Sequence, residues 1–344
     1  MVDMAKAAKT FRAFTEECKG SSRLYERLSA AVAGDPEMLA LASHARPGQP
    51  VPNLLFAAAH YLLLQGKDRC GLAGFYRTLT DQPGEPGEAY PFFRRFCLEN
   101  AGEILPLLQT KLVQTNEVRR CAYLYPAFCW AYARFGKPLA LLELGTSAGL
   151  QLLWDEYGYD YGGGAVYGKA GSAMLLKSDI RGKRPNCLLI NPPPVKARIG
   201  VDLHVNDLRD PEDRLWLSAL IWPEHTERLE HLKRGASLLN EHPVDLREGH
   251  AMRLLPELAA GMPDDAVLCV FHTHVANQFS AGDKAELREH LRMIGKRRSL
   301  VHLYNNMEDG RLHLDYYLDG KEYRNIMAET DGHGRWFHWL LEEE

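Results

Sequence analysis

The pattern of apolar and polar positions divides the chain into a helical first part and an alternating second part. Up to about residue 136, apolar residues recur at intervals of three to four, as Phe11, Phe14 and Cys18 do. That spacing is typical of amphipathic helices, and no stretch of this part alternates as a half-buried strand does. The pattern therefore predicts an α-helical N-terminal domain over residues 1–136.

Residues 137–344 combine short apolar runs with helical patterns. Five runs are predicted to be strands, at residues 139–144, 199–207, 244–251, 266–271 and 298–304. Two later segments, 311–318 and 323–327, are joined across Asp319-Gly320 and predict an antiparallel hairpin. Strands that alternate with helices indicate an α/β fold with a doubly wound parallel sheet, here ending in an antiparallel pair.

The first predicted strand leads into a glycine-containing loop. Glu143 stands near the strand's end, residues 145–149 read Gly-Thr-Ser-Ala-Gly, and residues 150–157 have helical spacing. Such a unit presents backbone N–H groups above the strand. The G-x-G-x-x-G fingerprint is absent because Ser147 occupies the position of its second glycine. The loop alone is equally consistent with a cofactor loop and with an ordinary strand-to-helix turn.

Asp202 ends the second predicted strand, where a carboxylate can accept the hydroxyl groups of a ribose. It lies 57 residues after Gly145, whereas such an acid usually follows the glycines by about 20 residues. An insertion at residues 158–197 accounts for the difference, and its alternating aromatic and glycine residues predict a β-hairpin. Asp179, inside that insertion, is the alternative ribose-binding acid.

Further candidate residues follow the third and fourth predicted strands. Others precede the helix that leads into the first strand. The third strand ends in Glu248, Gly249 and His250, and the fourth in Phe271, His272, Thr273 and His274. The polar segment before the helix contributes Gln114, Asn116 and Glu117. Because the carboxyl ends of parallel strands share one edge of a sheet, the residues that follow the strands are expected to line one cleft. The polar segment 114–120 is consistent with a position near that cleft and equally with a helix cap and a solvated first turn.

Composition narrows the classes of function. The net charge of −4 gives no electrostatic reason to expect nucleic acid or an anionic membrane as partner. The longest apolar run, residues 54–64, is interrupted by His60 and is shorter than the roughly 20 residues that a membrane-spanning helix needs. No signal peptide is evident at the start of the sequence. Seven scattered cysteines without a C-x-x-C pair indicate reduced thiols in a cytoplasm rather than a zinc or disulfide framework.

Several motifs together resemble one family of uncharacterised bacterial proteins, classed as a domain of unknown function. They are QTNEVRR (114–120), LLELGTSAGLQLLWD (141–155), the segment 199–232 and FHTHV (271–275). Members often carry Asn where this chain has Gln151. The resemblance implies a methyltransferase-like Rossmann fold behind a helical N-terminal region. The glycine loop with Glu143 is also similar to motif I of S-adenosylmethionine-dependent methyltransferases.

That resemblance implies S-adenosylmethionine as cofactor and an unidentified methyl acceptor as substrate. Gly145, Thr146, Ser147 and Gly149 would surround the methionine part, Glu143 would hold its ammonium, and Asp202 would hold the ribose. Glu248, Gly249 and His250 would flank the adenine, and His272 and His274 are the candidate bases. A base is required only where the acceptor must lose a proton.

Two other classes of function are consistent with the same residues. One is a non-catalytic or regulatory protein that binds S-adenosylmethionine or a nucleotide, because a fold does not determine an activity. The other is a metal-dependent hydrolase in which His272 and His274, two apart on one strand face, join His302 as ligands. The sequence leaves the oligomeric state open.

Overall fold

The computed structural model describes residues 4–342, and the chain divides into two compact units. The first unit comprises the residues up to Thr115 together with Arg209–Leu232. The second comprises Asn116–Leu208 together with the residues from Lys233 onward. The sequence pattern instead predicts one boundary after residue 136, and it does not indicate that a segment near residue 220 belongs to the helical unit.

The helices are α1 Met4–Cys18, α2 Arg23–Val32, α3 Pro36–Ala42, α4 Val51–Leu64, α5 Ala89–Glu99, α6 Ala101–Thr110, α7 Cys121–Phe135, α8 Pro211–Ala219, α9 Thr226–Glu241, α10 Ala251–Ala260 and α11 Ala281–Gly295. Four short 3₁₀ helices span Leu72–Phe75, Pro86–Glu88, Val118–Arg120 and Leu150–Glu156. Between residues 4 and 115 the structure contains helices and loops but no strand, as the apolar spacing predicts.

The strands are β1 Leu139–Leu144, β2 Gly158–Asp160, β3 Val166–Gly168, β4 Leu175–Lys177, β5 Asp179–Arg181, β6 Val195–Asp202, β7 Asp245–Glu248, β8 Val267–His272, β9 Leu300–Tyr304, β10 Leu312–Leu318, β11 Lys321–Thr330 and β12 Trp336–Trp339. Nine of them form one mixed sheet in the order β5-β12-β11-β10-β9-β8-β1-β6-β7. The five strands from β7 to β9 run parallel, and β10, β11 and β12 continue the sheet antiparallel. This confirms an α/β protein with a largely parallel sheet and a C-terminal hairpin.

The first unit is built around aromatic side chains from several helices. Phe56 of α4 packs on Tyr25 with ring centroids 4.6 Å apart and on Phe93 at 5.4 Å. Helix α8 joins this unit through Trp216, which is 3% exposed and donates its indole N–H to the Leu112 carbonyl over 2.8 Å. Asp210 caps α8 and Pro211 begins it, which are residue types favoured at these two positions of a helix. Burial of Trp216 therefore explains why a segment distant in sequence completes the helical unit.

In the second unit, helices cover both faces of the parallel strands. Helices α10 and α11 contribute Leu255 and Leu287 to a core with Leu142 of β1 and Val270 of β8. On the other face, Phe128 of α7 packs edge to face on Phe271 at 5.4 Å. Alternate residues of each strand thus bury against opposite helical layers.

The insertion contains the predicted hairpin of β2 and β3 and two further strands, β4 and β5. Strands β2 and β3 pair antiparallel, and β4 adds to β2 in parallel, forming a three-stranded sheet. Tyr159 of β2 packs on Tyr125 of α7 at 4.5 Å between ring centroids. Strand β5 is not part of this small sheet; it pairs with β12 at the far edge of the main sheet.

The segment after the glycine loop differs from the predicted amphipathic helix. It is the 3₁₀ helix Leu150–Glu156, which is interrupted at Leu153 with φ −96° and ψ 18°. Gln151 and Asp155, expected on a polar face, are each only 7% exposed. Gln151 accepts a hydrogen bond from Thr273, and Asp155 pairs with Arg198. Because tertiary partners surround the segment on all sides, no solvent face remains for a regular amphipathic helix.

Among the described residues, no helix is both long enough and apolar enough to cross a membrane.

Candidate functional site

The candidate site lies in the second unit, at the carboxyl ends of β1, β6 and β8. The chain passes from β1 to β6 and β7 on one side, and then returns to β8 on the other side of β1. This reversal of strand order is the place where α/β sheets open a crevice for ligands. The residues that follow these three strands are therefore the first to consider.

Backbone conformation explains the glycines of the loop after β1. Gly145 and Gly149 have φ values of 75° and 77°, in the region that favours glycine. A Cβ atom on Gly145 would lie 2.6 Å from Cγ2 of Val275, and one on Gly149 would lie 2.9 Å from side-chain atoms of Val244. Both glycines thus permit close packing of the loop on its own unit.

Ser147, the non-glycine residue of the loop, has a φ of 52° and is held by side chains. Its hydroxyl oxygen accepts hydrogen bonds from Nδ2 of Asn116 at 2.7 Å and Nδ2 of Asn206 at 3.0 Å. Its backbone N–H donates to Oδ2 of Asp202 at 2.8 Å. These three bonds compensate for the unfavourable backbone of a residue that is 4% exposed.

The same hydrogen bond shows which of the two candidate acids, Asp202 or Asp179, lies at the glycine loop. Asp202 ends β6 beside the loop, and its other oxygen accepts the His204 N–H at 3.2 Å. Burial raises the pKa of Asp202, and the backbone N–H groups of Ser147 and His204 partly oppose that shift. Asp179 begins β5 at the far edge of the sheet, and five strands separate β5 from β1. Only Asp202 therefore lies at the loop.

Glu143 is buried at the end of β1. It is 3% exposed and accepts a hydrogen bond from Oγ1 of Thr146 at 2.6 Å. Burial raises its pKa to about 8, the Asp202 carboxylate acts in the same direction, and Thr146 and Arg120 oppose the shift. At neutral pH this carboxyl is therefore mostly protonated, and it would ionise beside a bound cation.

The predicted residues after β7 lie next to Asp202. Glu248 pairs with Asp202 across the two strands and accepts the Val205 N–H at 3.2 Å. Gly249 donates its N–H to the Asp202 carbonyl at 2.8 Å. His250 is the N-cap residue of α10 and contacts Asp283 at 3.6 Å. Acidic side chains therefore stand in series at the ends of β1, β6 and β7.

The two predicted bases of β8 occupy different environments. His272 is completely buried, and its Nε2 lies 3.1 Å from Nε2 of His302 on β9. Burial lowers the pKa of His272 to about 3 and that of His302 as well, so both rings are neutral. Phe271 points to the opposite face of the strand and packs in the core against Phe128, so it does not line the cleft.

His274 lies beyond the end of β8 with a φ of 56°, so it does not share a strand face with His272. Its backbone N–H donates to Oδ1 of Asn305 at 2.8 Å, and Nδ2 of Asn306 donates to its Nδ1 at 2.9 Å. Asn306 also has a positive φ, 58°. His274 and Asn306 are two of the four described non-glycine residues with positive φ, and a hydrogen bond joins them. Backbone strain of this kind is common at functional sites.

Arg120, which the sequence reasoning did not select, lies among these residues. The side chain is 6% exposed, and its Nε donates to the Gly332 carbonyl at 2.9 Å. Its Nη1 donates to Oγ1 of Thr273 at 3.4 Å, and Thr273 donates to Oε1 of Gln151 at 3.0 Å. Its position in the polar segment QTNEVRR was a signal, but two adjacent arginines at a helix start usually indicate a solvated turn.

The remaining predicted residues are placed as follows. Asn116 is bonded to Ser147, as described above. Glu117 is 1% exposed and lies 3.1 Å from Nδ1 of His333. Gln114 belongs to the first unit.

The predicted histidine metal site is not formed. Within residues 4–342, no group of three or more His, Cys, Asp or Glu side chains could hold a metal ion. The reason is the turn after His272, which directs His274 to Asn305 and Asn306 while His272 pairs with His302. The site instead contains the carboxyl groups of Glu143, Asp202 and Glu248 at the ends of β1, β6 and β7. Hydrogen-bond donors follow β8, on the other side of β1.

Comparison with known proteins identifies a family but no activity. Residues 8–339 match the model of a family described as an uncharacterized protein conserved in bacteria (DUF2332), and the chain belongs to this family. No curated protein and no solved structure matches the chain.

Proposed function

We propose that this member of the DUF2332 family is an S-adenosylmethionine-dependent methyltransferase that acts on an unidentified acceptor. The observation that carries the proposal is the series of acids Glu143, Asp202 and Glu248 at the ends of three adjacent strands, beside the glycine loop. Neighbouring strands lie about 4.8 Å apart, so the series extends over about 10 Å. A nucleoside with an amino-acid tail presents an ammonium and ribose hydroxyls over such a length.

Each residue of the series suits one part of that cofactor. Glu143, protonated at neutral pH in its buried position, would ionise to hold the ammonium. Asp202 would hold the ribose, and Glu248, Gly249 and His250 would lie beside the adenine. Asp202 accepts hydrogen bonds from the N–H groups of Ser147 and His204, which fix its carboxylate beside the loop.

S-adenosylmethionine supplies an electrophilic methyl group. The protein's part is to position the acceptor and to exclude water, and no base is needed for an acceptor that is already deprotonated. His274 receives a hydrogen bond on Nδ1, which leaves the proton of its neutral ring on Nε2. It is therefore suited to donate a hydrogen bond rather than to remove a proton.

Calorimetric titration with S-adenosylmethionine and S-adenosylhomocysteine tests the proposal. We expect micromolar binding by the wild-type protein and none by Gly145→Arg, whose side chain would meet Val275. Gly162→Arg is the matched control, because Gly162 has the same positive φ, 76°, but nothing within 4 Å of its Cβ position. Absence of binding at millimolar ligand would refute the proposal.

A non-catalytic cofactor-binding or regulatory protein is the second candidate. The observation that favours it is the closed loop, in which Ser147 is already bonded to Asn116, Asn206 and Asp202. S-adenosylhomocysteine would then bind, but radiolabelled methyl groups would not be transferred to small molecules of a bacterial extract. Appearance of a labelled product that depends on Asp202 would exclude this candidate.

A further inference from the structure

Arg120 is a buried cation without a carboxylate partner. Its described hydrogen bonds go to a carbonyl oxygen and a hydroxyl, at Gly332 and Thr273, and no ion pair of Arg120 occurs within residues 4–342. Glu143 is the acid whose pKa Arg120 lowers, yet burial keeps that carboxyl mostly protonated at neutral pH. A buried guanidinium cannot lose its proton, so leaving it without a counter-ion is costly.

His274 provides a second donor without an acceptor. Asn306 Nδ2 also donates to Oδ1 of Asn305, which identifies it as the amide nitrogen and His274 Nδ1 as its acceptor. The proton of the neutral ring is therefore on Nε2. Nε2 is buried and has no hydrogen-bond partner among the described residues. A buried N–H group of this kind is expected to meet an acceptor from outside the chain.

The two donors are neighbours. The Gly332 carbonyl accepts from Arg120, and a Cβ atom on Gly332 would lie 3.6 Å from Cε1 of His274, the ring atom bonded to Nε2. The Arg120 charge also helps to keep the pKa of His274 low. Gly334, with a φ of 70°, packs its turn onto the backbone of Arg119 and Arg120. The turn 331–335 thus holds the guanidinium and the imidazole on one patch of the second unit.

We propose that Arg120 and His274 form a binding subsite for a carboxylate group of the methyl acceptor. Arg120 has N–H groups beyond the two that donate to Gly332 and Thr273, and His274 Nε2 has no acceptor among the described residues. Thr273 orients Arg120, while its own proton is donated to Gln151. Assignment to the acceptor rests on the proposed function. The cofactor acids follow β1, β6 and β7, whereas His274 follows β8 on the other side of β1.

Local charge favours a carboxylate over a phosphate. Arg120 is the cation of the subsite, because His274 is neutral, and the Asp331 carboxylate acts electrostatically on His274. A dianion would meet repulsion that one guanidinium does not offset, whereas a monoanion balances it. An arginine also matches the planar, two-oxygen geometry of a carboxylate.

Sodium acetate is the probe for the subsite, with acetamide as its uncharged counterpart. Thermal unfolding of the full chain is followed at constant ionic strength while either compound is added. We expect saturable stabilisation by acetate, with a rise in the unfolding midpoint of about 2 °C at ten times its Kd, and none by acetamide. Arg120→Met should abolish the response, and His274→Gln should weaken acetate binding about tenfold or more.

The same variants exclude a merely structural role for Arg120. Without probe, Arg120→Met should unfold at the wild-type temperature or above, because methionine removes an unpaired buried charge. A clear decrease in its midpoint, or an unchanged acetate response, would overturn the proposal. Inorganic phosphate that stabilises the wild type through Arg120 more strongly than acetate does would also overturn it.

Titration with S-adenosylhomocysteine separates this inference from the proposed function. Intact S-adenosylhomocysteine binding without an acetate response refutes the subsite alone. An acetate response through Arg120 without S-adenosylhomocysteine binding refutes the methyltransferase and with it the assignment to an acceptor. Loss of S-adenosylhomocysteine binding in Arg120→Met would show that Arg120 holds the cofactor's own carboxylate, which also overturns the assignment.

Discussion

Ser147 donates its backbone N–H to Oδ2 of Asp202 over 2.8 Å, which joins the loop after β1 to the end of β6. The two residues are 55 positions apart in sequence. The inserted small sheet of β2, β3 and β4 lies between them along the chain, and the parallel pairing of β1 with β6 brings them together. The contact therefore identifies Asp202 as the acid that lies at the loop.

Replacement of Asp202 should destabilise the second unit. Asp202→Ala leaves the N–H groups of Ser147 and His204 without this acceptor, and we expect a loss of about 1–3 kcal/mol in the free energy of unfolding. Asp202→Asn retains one acceptor oxygen and should cost less. Asp179→Ala, at an exposed position of β5, is the control and should change stability by less than about 0.5 kcal/mol. Urea denaturation measures all three, and equal effects at both positions would contradict the assignment.

Gly145→Ala should destabilise the protein more than Gly162→Ala. The two glycines have nearly equal φ values, 75° and 76°, so the backbone cost of about 1 kcal/mol is shared. Only at position 145 does the new methyl group meet Val275, which adds about 1–3 kcal/mol of overpacking. Adding Val275→Ala to Gly145→Ala should recover part of this difference. A double-mutant cycle by chemical denaturation measures the coupling, and a coupling of zero would rule out the contact.

Substitutions of Ser147 compare the cost of its positive φ with the stabilisation that its hydrogen bonds provide. Ser147→Gly relieves the positive φ, worth about 1 kcal/mol, but removes the acceptor of Asn116 and of Asn206, which is 2% exposed. Ser147→Ala removes the same acceptor without the relief. We expect a net loss of about 1 kcal/mol for Ser147→Gly and about 2 kcal/mol for Ser147→Ala. A Ser147→Gly protein more stable than the wild type would show that the two amide bonds contribute nothing.

Glu143 should make stability fall as pH rises. Its pKa is about 8 in the folded protein and near 4.5 when unfolded, so between these values the folded state binds one proton more than the unfolded state does. The free energy of unfolding therefore falls as the pH rises, until the folded carboxyl itself ionises near pH 8. The buried histidines are neutral in the folded state and lose their protons around pH 6.5 in the unfolded state, so they contribute a slope of opposite sign near that pH. Comparison of the wild type with Glu143→Gln cancels that contribution. Glu143→Gln should abolish up to about 1.4 kcal/mol per pH unit of this slope. An identical slope in wild type and variant would show that Glu143 is ionised in the fold.

Under the proposed function, the raised pKa of Glu143 also predicts how the affinity for the cofactor depends on pH. Binding an ammonium requires Glu143 to lose its proton, so the affinity for S-adenosylhomocysteine should rise about tenfold from pH 6 to pH 7 and level off above pH 8. Glu143→Gln should bind weakly and without this dependence. Calorimetry across that range gives the result, and a flat wild-type profile would assign the ammonium to another residue.

The sequence by itself determined the elements whose signals are local. The helices before residue 115, the buried runs of β1 and β8, the cap at Asp210 and the hairpin of β10 and β11 follow from spacing, apolar runs and turn residues. These signals work because helix and strand periodicity record which face of an element is buried. The glycine loop was likewise evident from its composition, although not from its fit to a fingerprint.

Only the tertiary structure decided the features that depend on partners distant in sequence. Packing around Trp216 places α8 in the helical unit. The strand order places Asp202, and not Asp179, beside the glycine loop. The turn at His274 separated two histidines that spacing alone puts on one face, and it brought Arg120 next to one of them through Gly332. Long-range burial and hydrogen bonds select these arrangements, because local preferences amount to about 1 kcal/mol per residue and tertiary contacts override them.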